Sequence, residues 1–400
     1  MMSSAEPPIM KSFYIIPRIP GRFVGIWPQE KRPWFKNLMS AFGLIVVLIG
    51  ACGETLYGIL NLDNLVSALE AFCPGTTKAV CVLKLSIFVI YHRQWFEFVK
   101  RLRKMLCANQ DDKAQQILID VSTTANRFTL LLFTSGFTTG TCFVVLPLIM
   151  GIYRWSQDQP IQIQLPFNII LPEFATEHHW FPLTYMVLTA SSYWTGFIFS
   201  FVDGFFVCSC LYISGIFRVV KHDIRSAFAD LDGDSAFSVD YCTPSMNAGI
   251  RVKLGYIIER HNAIFDLCSE LSRQSSVIVL MHFISAAFVL CSTILDIMLN
   301  TSSLSGLTYI CYIAAALTQL FLYCYGGNHV SDSSLDVAAT VYDIEWYKCD
   351  ARTRKMILMI LRRSQRAKTI AVPFFTPSLP AFSSILSTTG SYITLLKTFL

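Results

Sequence analysis

Two histidines and a carboxylate stand together at Glu177, His178 and His179, followed by Trp180. Zinc draws three or four ligands, usually at helical or knuckle spacing. Adjacent histidines in a loop meet neither condition, and they read as solvated residues. Cys268, between Leu267 and Ser269, and Cys349, between Lys348 and Asp350, have no neighbouring histidine to take up a thiol proton, so both read as structural. The phosphate-binding loop, the Gly-x-Ser-x-Gly nucleophile turn and the His-Glu-x-x-His metalloprotease signature do not occur. No metal, cofactor or catalytic residue is expected, and an enzyme is the outlying reading.

The elements that would position any site are membrane helices. Of 400 residues 53% are hydrophobic, 14% aromatic and only 15% charged, outside the usual range for a soluble domain. The net charge of +5 sits in blocks between apolar runs, as membrane topology requires, so no nucleic-acid partner is expected. The N-terminal stretch has prolines and scattered charge without a short apolar core and small-residue cleavage site, so no cleaved signal peptide is expected.

Seven apolar spans follow: Asn37–Leu60, Thr76–Tyr91, Phe128–Ile152, Phe181–Phe217, Val277–Leu299, Leu304–Gly326 and Thr376–Leu400. The second is the weakest, interrupted by Lys84. The fourth is too long for one crossing at about 1.5 Å per residue, so the part after Asp203 should project into water or protein. Asp203 needs a partner or an exit and is expected to mark the inner boundary. Lys and Arg cluster before span one (Lys11 to Lys36), and in the second (Arg93 to Arg127), fourth (Arg218 to Arg273) and sixth (Lys348 to Lys368) connections. The opposite side holds only Lys78, Arg154 and Lys397. This asymmetry predicts a cytoplasmic N-terminus and an outside C-terminus, contrary to a G-protein-coupled receptor.

The domain plan is therefore a cytoplasmic segment 1–36, six membrane helices over 37–326, a cytoplasmic helical region 327–375, and a seventh membrane helix 376–400: an all-α, seven-helix membrane protein. Of thirteen cysteines only Cys73 is placed in an outer loop, so no extracellular disulfide framework is expected. The one sequon, Asn300-Thr301-Ser302, lies in a short outer turn, too near the membrane to be used. Ala351–Val372 reads as a basic helix with Met356, Ile357, Ile360, Leu361 and Ala367 on one side and Arg354, Arg362, Arg363 and Arg366 mostly elsewhere. It suits packing against other helices or membrane lipid, with calmodulin binding left open.

The last span combines one charge, Lys397, with more than a third Ser and Thr over Phe382–Leu400. Thr376 can cap its start and Pro377 fits the first turn. At 100° per residue, Ser384, Thr388, Ser391, Leu395 and Thr398 form one stripe, with Phe382, Ile385, Leu386, Tyr392, Ile393 and Leu396 on the broad opposite side and Thr389 breaking that apolar face. Such hydroxyls either bond back to helix carbonyls and pack on neighbours or face water in a pore with Leu395 as a dry constriction.

The run from Tyr312 to Leu400 resembles the C-terminal third of insect odorant receptors. Its echoes are "CYGGN" followed by "SDSS", then "EWY", the basic helix, "FFTPSL" and the closing "FSSIL" and "SYITLL". The resemblance implies that the final helix lines a non-selective cation pore, with Leu395 at the hydrophobic gate and Thr398 and Phe399 nearer the outer mouth. Lys397 departs from the apolar residue common there. It also implies a cytoplasmic collar, including the basic helix, that joins four subunits. The compact fourth connection, Arg218–Ser276, lacks the long extra stretch of the family's co-receptor. The chain therefore looks like a ligand-tuning subunit that forms a heteromeric channel with an olfactory co-receptor, in the cell membrane of an olfactory neuron's dendrite.

By the same resemblance, a small volatile odorant would lie in an apolar pocket among the second, third, fourth and sixth spans. The candidates there are Tyr309 and Tyr312, three apart on one face, Ser191, Ser192 and Trp194, and Cys142, Phe143 and Leu146. A gustatory receptor would carry a different closing motif in place of "SYITLL". A secondary transporter would show repeated halves with broken helices, and no such symmetry occurs in the sequence.

Overall fold

The structure, a computed structural model, describes residues 8–108, 111–157, 164–176, 179–229, 242–299 and 303–399; side chains are described for all of these except 303–305 and 396–399. Glu177, His178 and the sequon Asn300-Thr301-Ser302 lie outside the described residues.

Apolar runs become long helices because a buried or lipid-facing backbone must satisfy its own hydrogen bonds. In chain order these are α1 (Ile9–Ser12), α2 (Ile15–Val24), α3 (Trp34–Leu60), α4 (Leu65–Ile90), α5 (His92–Leu106), α6 (Asp112–Ser156), α7 (Glu173–Thr176), α8 (Phe181–Phe228), α9 (Pro244–Leu299), α10 (Ser303–Asp343), α11 (Ala351–Ser364) and α12 (Leu379–Phe399). Six of them, α3, α4, α6, α8, α9 and α10, are long and apolar enough to cross a membrane among the described residues. With its 21 residues, α12 packs as a seventh long helix against α9 and α10.

Four helices outrun the bilayer. The 56 residues of α9 extend about 84 Å against a hydrocarbon core of about 30 Å. The connection expected between spans four and five is thus largely helical, and α8 continues past Phe217 to Phe228. Every residue from Ile198 to Phe217 is buried, so this part of α8 meets protein, not water. The Gly326 boundary of the sequence plan falls inside α10, which continues unbroken to Asp343.

The N-terminal segment, read from sequence as a cytoplasmic segment with prolines and scattered charge, contributes Ile9, Phe13, Tyr14, Val24, Ile26 and Trp27 to the core. Tyr14 hydrogen-bonds Ser209 at 2.5 Å, and its backbone N–H donates to Tyr212 at 3.1 Å, pinning the segment to α8. The basic helix is shorter than expected, ending at Ser364, with Ala367 exposed beyond it. Asp350 caps it by accepting from Thr353 N–H at 2.8 Å, and those Thr353 contacts hold its carboxyl below the usual range. Ile357 and Ile360 are buried and α11 packs on α9 and α10, so its apolar side serves packing.

Two outer-loop assignments are corrected. Lys78 and Cys73 are not in an outer loop; both are buried in α4, which begins at Leu65, well before Thr76. Only residues 61–64 separate α3 from α4. Lys78 can sit there because it pairs with Glu54 of α3. Further along α4, Lys84 meets Asp203 of α8 at 2.5 Å, and Tyr323 of α10 donates to the same Asp203 oxygen at 2.7 Å. All three side chains are buried. Lys84 also lies 4.0 Å from the centre of the Phe199 ring, a cation–π contact.

Removing one partner from such a pair leaves an unpaired buried charge and costs about 3–5 kcal/mol, while replacing both by apolar groups is often neutral. Lys84→Met and Asp203→Leu alone should each lower the melting temperature of the detergent-purified protein and reduce its surface level. The double variant should recover most of both; an additive loss would show that the pair does not hold the bundle together.

Candidate ligand-binding cavity and final helix

A cavity of about 100 Å³ lies inside the bundle, bounded by α4, α6, α8, α9, α10 and the segment carrying Phe167. A single water needs only about 10–15 Å³. Space is left there because small residues face it: Gly136 and Gly140 from α6, Gly196 from α8, and Ala286, Ala315 and Ala316 from α9 and α10. A Cβ added at Gly136 would meet nothing within 4 Å. Aromatic rings form the walls. Phe143 stacks on Phe167 with centroids 5.3 Å apart and meets Tyr312 edge-on at 5.8 Å.

Polar groups in the lining are mostly engaged. Tyr312 donates its hydroxyl to the Cys73 carbonyl at 3.0 Å and also contacts Thr77. Lys78 is bound to Glu54, and its ammonium lies 3.6 Å from the centre of the Phe167 ring. What remains is a mainly apolar chamber with a few oriented polar atoms, the composition that takes a small uncharged molecule.

The sequence-selected residues divide among three places. Tyr312, Ser192 and Phe143 line this cavity. Tyr309, Cys142 and Leu146 line a second cavity of about 150 Å³, which shares Phe143 and Phe167 with the first. Tyr309 and Tyr312 do project to one side of α10, both towards α4, but Tyr309 donates to Glu70 at 2.8 Å and so belongs to the second chamber. Ser191 and Trp194 lie in neither lining. Ser191 donates to the Val46 carbonyl at 3.1 Å, and Trp194 packs against Phe23 and Phe42 with centroids 5.2 Å away in each case. The one-residue step from Ser191 to Ser192 turns the side chain by about 100°, enough to exchange α3 for the cavity.

Sequence reasoning missed Phe167, Gly136, Thr77 and His282. A lone histidine in the apolar span of α9 was a usable signal, since polar residues inside membrane helices are rare and functional by default. Phe167 comes from an irregular segment whose position follows only from the folded bundle.

On α12, Phe382, Ile385, Thr389 and Ile393 are at least partly buried, whereas Ser384, Thr388, Ser391 and Leu395 are exposed, Leu395 at 53%. The polar stripe thus faces away from the subunit's own bundle. Leu386 and Tyr392, grouped by sequence with the apolar side, are also exposed. Ser391 donates to the Ser387 carbonyl at 3.0 Å, satisfying one stripe hydroxyl within its own helix. The side chains of Thr398 and Phe399 lie outside the described residues. The helix starts close against α10, where the Pro377 carbonyl occupies the place a Cβ at Gly327 would take.

Residues 64–390 match the family of 7tm odorant receptors. The chain is 65% identical to Odorant receptor 22c of Drosophila melanogaster over 405 aligned residues, covering 100% of both. It is 31% identical to Odorant receptor 10a of the same organism, over 97% of this chain and 96% of that one. The fold is similar to the structure of the insect olfactory receptor OR5 from Machilis hrabei, with a TM-score of 0.80 at 15% identity over 97% of each chain. The complex of that receptor with eugenol is similar too, with a TM-score of 0.78 at 16% identity over 98% of each chain. This chain belongs to the insect seven-helix odorant receptor family, as a ligand-tuning receptor subunit and not an enzyme.

Proposed function

We propose that this chain binds a small volatile odorant in the cavity between α4, α6, α8, α9 and α10 and, with an olfactory co-receptor, opens a non-selective cation channel in the cell membrane of the sensory dendrite. The observation that carries the ligand site is the aromatic-walled cavity with Tyr312, Phe143 and Ser192 on its lining. A related fold has been solved with eugenol, a small volatile of the kind such a chamber suits. The second chamber, with Tyr309, Cys142 and Leu146, adjoins the first across Phe143 and Phe167 and offers a vestibule on the way in.

The pore rests on α12. Its stripe of Ser384, Thr388, Ser391 and Leu395 is turned away from the bundle, which leaves it available to a central channel shared with neighbouring subunits. Hydroxyls pass partly hydrated cations without holding them, and a ring of leucines dewets when narrow. Thr398 and Phe399 extend the proposed lining to the outer mouth. The compact segment Arg218–Ser276 supports dependence on a co-receptor, and the basic blocks support a cytoplasmic N-terminus and cytoplasmic collar. The exposed apolar residues of α3, among them Phe42, Ile45, Leu48 and Ile49, suit contact with lipid.

The channel reading is tested in cells expressing the chain with and without a co-receptor. Odorant-evoked current should need both chains, and on intact cells an N-terminal tag should stay unlabelled while a C-terminal tag stains. Robust current from the chain alone would contradict the subunit assignment.

Filling or emptying the cavity should change tuning without changing the channel. Gly136→Val should weaken the response to large agonists by about 10–100-fold, as overpacking of about 1–3 kcal/mol implies. Tyr312→Ala should shift sensitivity by a similar factor through lost contact. Current evoked by a co-receptor agonist should persist in both; if agonist dose–response curves do not move, the ligand sits elsewhere.

Leu395→Ser should wet the constriction and raise resting current at matched surface expression. Ile393→Ser, on the bundle-facing side, should instead lower expression without raising leak. Equal leak from both positions would remove α12's polar stripe from the pore.

A further inference from the structure

The surface of α2 carries a pattern that neither the ligand chamber nor the pore uses. Pro17, Pro20, Gly21 and Val24 are buried. A Cβ at Gly21 would run into the Phe201 ring of α8, so α2 lies hard against that helix. At about 100° per residue, the opposite side presents Ile15, Ile19 and Phe23, all exposed, with Arg18 and Arg22 exposed along one edge.

Other elements add cations at that edge. Burial, then the charges of Arg22 and of Arg103 on α5, hold the Arg18 guanidinium below its usual range. Arg22 and Arg32 also act electrostatically on Lys36, in the first turn of α3. Arg32 donates to Ser40 at 2.5 Å, and Arg18 lies 5.9 Å from the centre of the Trp27 ring. Among the described residues no carboxylate pairs with Arg18, Arg22, Arg32 or Lys36. Elsewhere, by contrast, Lys221 pairs with Asp336, Arg251 with Asp350 and Arg260 with Asp223. Cations gathered without a carboxylate repel one another, so the patch favours an anion from outside the chain.

The depth of the patch fixes where that anion would sit. Phe23 packs on Trp194 and Phe197 of α8 with centroids 5.2 and 4.6 Å away, and Trp194 meets Phe42 of α3 at 5.2 Å. The apolar edge is thus level with the membrane-spanning parts of α3 and α8, while the basic edge stands beside the first turn of α3, where the span begins. Moreover, α2 packs on α3, α6 and α8, whereas α12 packs on α9 and α10. The patch therefore belongs to other helices than those beside the proposed pore.

We propose that this face of α2, with the start of α3, is a binding site for an anionic phospholipid of the leaflet on the N-terminal side. Arg18, Arg22 and Lys36 hold the headgroup, Arg32 and Arg103 add to the positive field, and an acyl chain lies along Ile15, Ile19 and Phe23. Helices with basic residues beside an apolar face lie in the membrane interface in this way, and clustered Lys and Arg there attract acidic lipid. A headgroup with several phosphates, as in a phosphoinositide, is preferred to phosphatidylserine, because guanidinium forks bind phosphate oxygens two at a time and no paired carboxylate is there to take the serine amine. In the topology proposed above this leaflet is the cytoplasmic one. The site is independent of where the odorant binds.

The test uses the full chain assembled with a co-receptor in phosphatidylcholine nanodiscs, with a dye at the N-terminus of this chain. Energy transfer to labelled phosphatidylinositol bisphosphate is compared with transfer to labelled phosphatidylserine at matched total charge. The phosphoinositide should saturate at a mole fraction where phosphatidylserine does not. Arg18→Gln with Arg22→Gln should weaken its binding about tenfold or more, and Arg18→Lys with Arg22→Lys should keep it within about threefold of wild type. Arg352→Gln with Arg354→Gln, the same charge removed from α11, should leave it unchanged. Lys36→Gln, on a separate element, should also weaken it, and decides the matter if the double glutamine variant fails to assemble. Equal saturation by the two lipids at matched charge, or equal losses from the α2 and α11 pairs, would reduce the patch to diffuse attraction and overturn the proposal. So would binding unchanged by both the α2 glutamine pair and Lys36→Gln. None of these results bears on odorant-evoked current, so the receptor reading stands or falls separately.

Discussion

A lysine and an aspartate inside a membrane bundle have no water to fall back on, and this constraint organises the structure. Lys84 and Asp203 can be buried only against each other, so α4 and α8 must approach at one register. Tyr323 adds a bond from α10 to the same carboxylate and brings the third helix into that register. The rings of Phe206 and His282 both stack on Tyr323, at 4.7 and 4.4 Å, and draw in more of α8 and α9. The Glu54–Lys78 pair does for α3 and α4 what Lys84–Asp203 does for α4 and α8. Thus α4, the helix with the weakest apolar run, is the one whose charges are matched by its neighbours.

The cavity lies beside these ion pairs. Lys78 lies on its lining and Lys84 is joined to it through Tyr323 and His282. Charge pairs hold the helices at fixed separations while glycine and alanine supply too little volume to fill the space between them. From the cavity, packed contacts continue to the final helix. Phe283, next to His282, meets Phe375 with ring centroids 4.6 Å apart. Phe374 has a positive φ of 75° in the tight turn closed by the Val372–Phe375 bridge. Farther along α10, Gly327 receives the Pro377 carbonyl just before α12 begins. A ligand that moved α9 or α10 would therefore push on the segment from which α12 starts.

The architecture was legible because apolar length and basic blocks are additive properties of the sequence. Seven spans and their order could be read from them, and so could the outward polar stripe of α12, since helical periodicity needs no tertiary knowledge. The limits appear at particular residues. Lys78 looks like the mark of a loop until Glu54, on the preceding helix, is seen beside it. Ser191 and Ser192 are equivalent in composition, but only the second faces the cavity. Tyr309 and Tyr312 share a side of α10, yet a neighbouring carboxylate assigns the first to a different chamber. Phe167 and the core role of Tyr14 depend on where irregular segments dock, which no periodicity encodes. His282 carried a signal as an ionisable residue in an apolar span, and the fold buries both of its ring nitrogens without partners.

We propose that the odorant occupies the inner cavity and acts from there on α12. A cryo-electron microscopy structure of the chain assembled with a co-receptor and a saturating agonist tests it most directly. Ligand density is expected against Phe143, Tyr312 and His282, with the start of α12 displaced relative to the agonist-free complex. Density confined to the chamber beside Tyr309 and Glu70, or an empty inner cavity in an open channel, would contradict it.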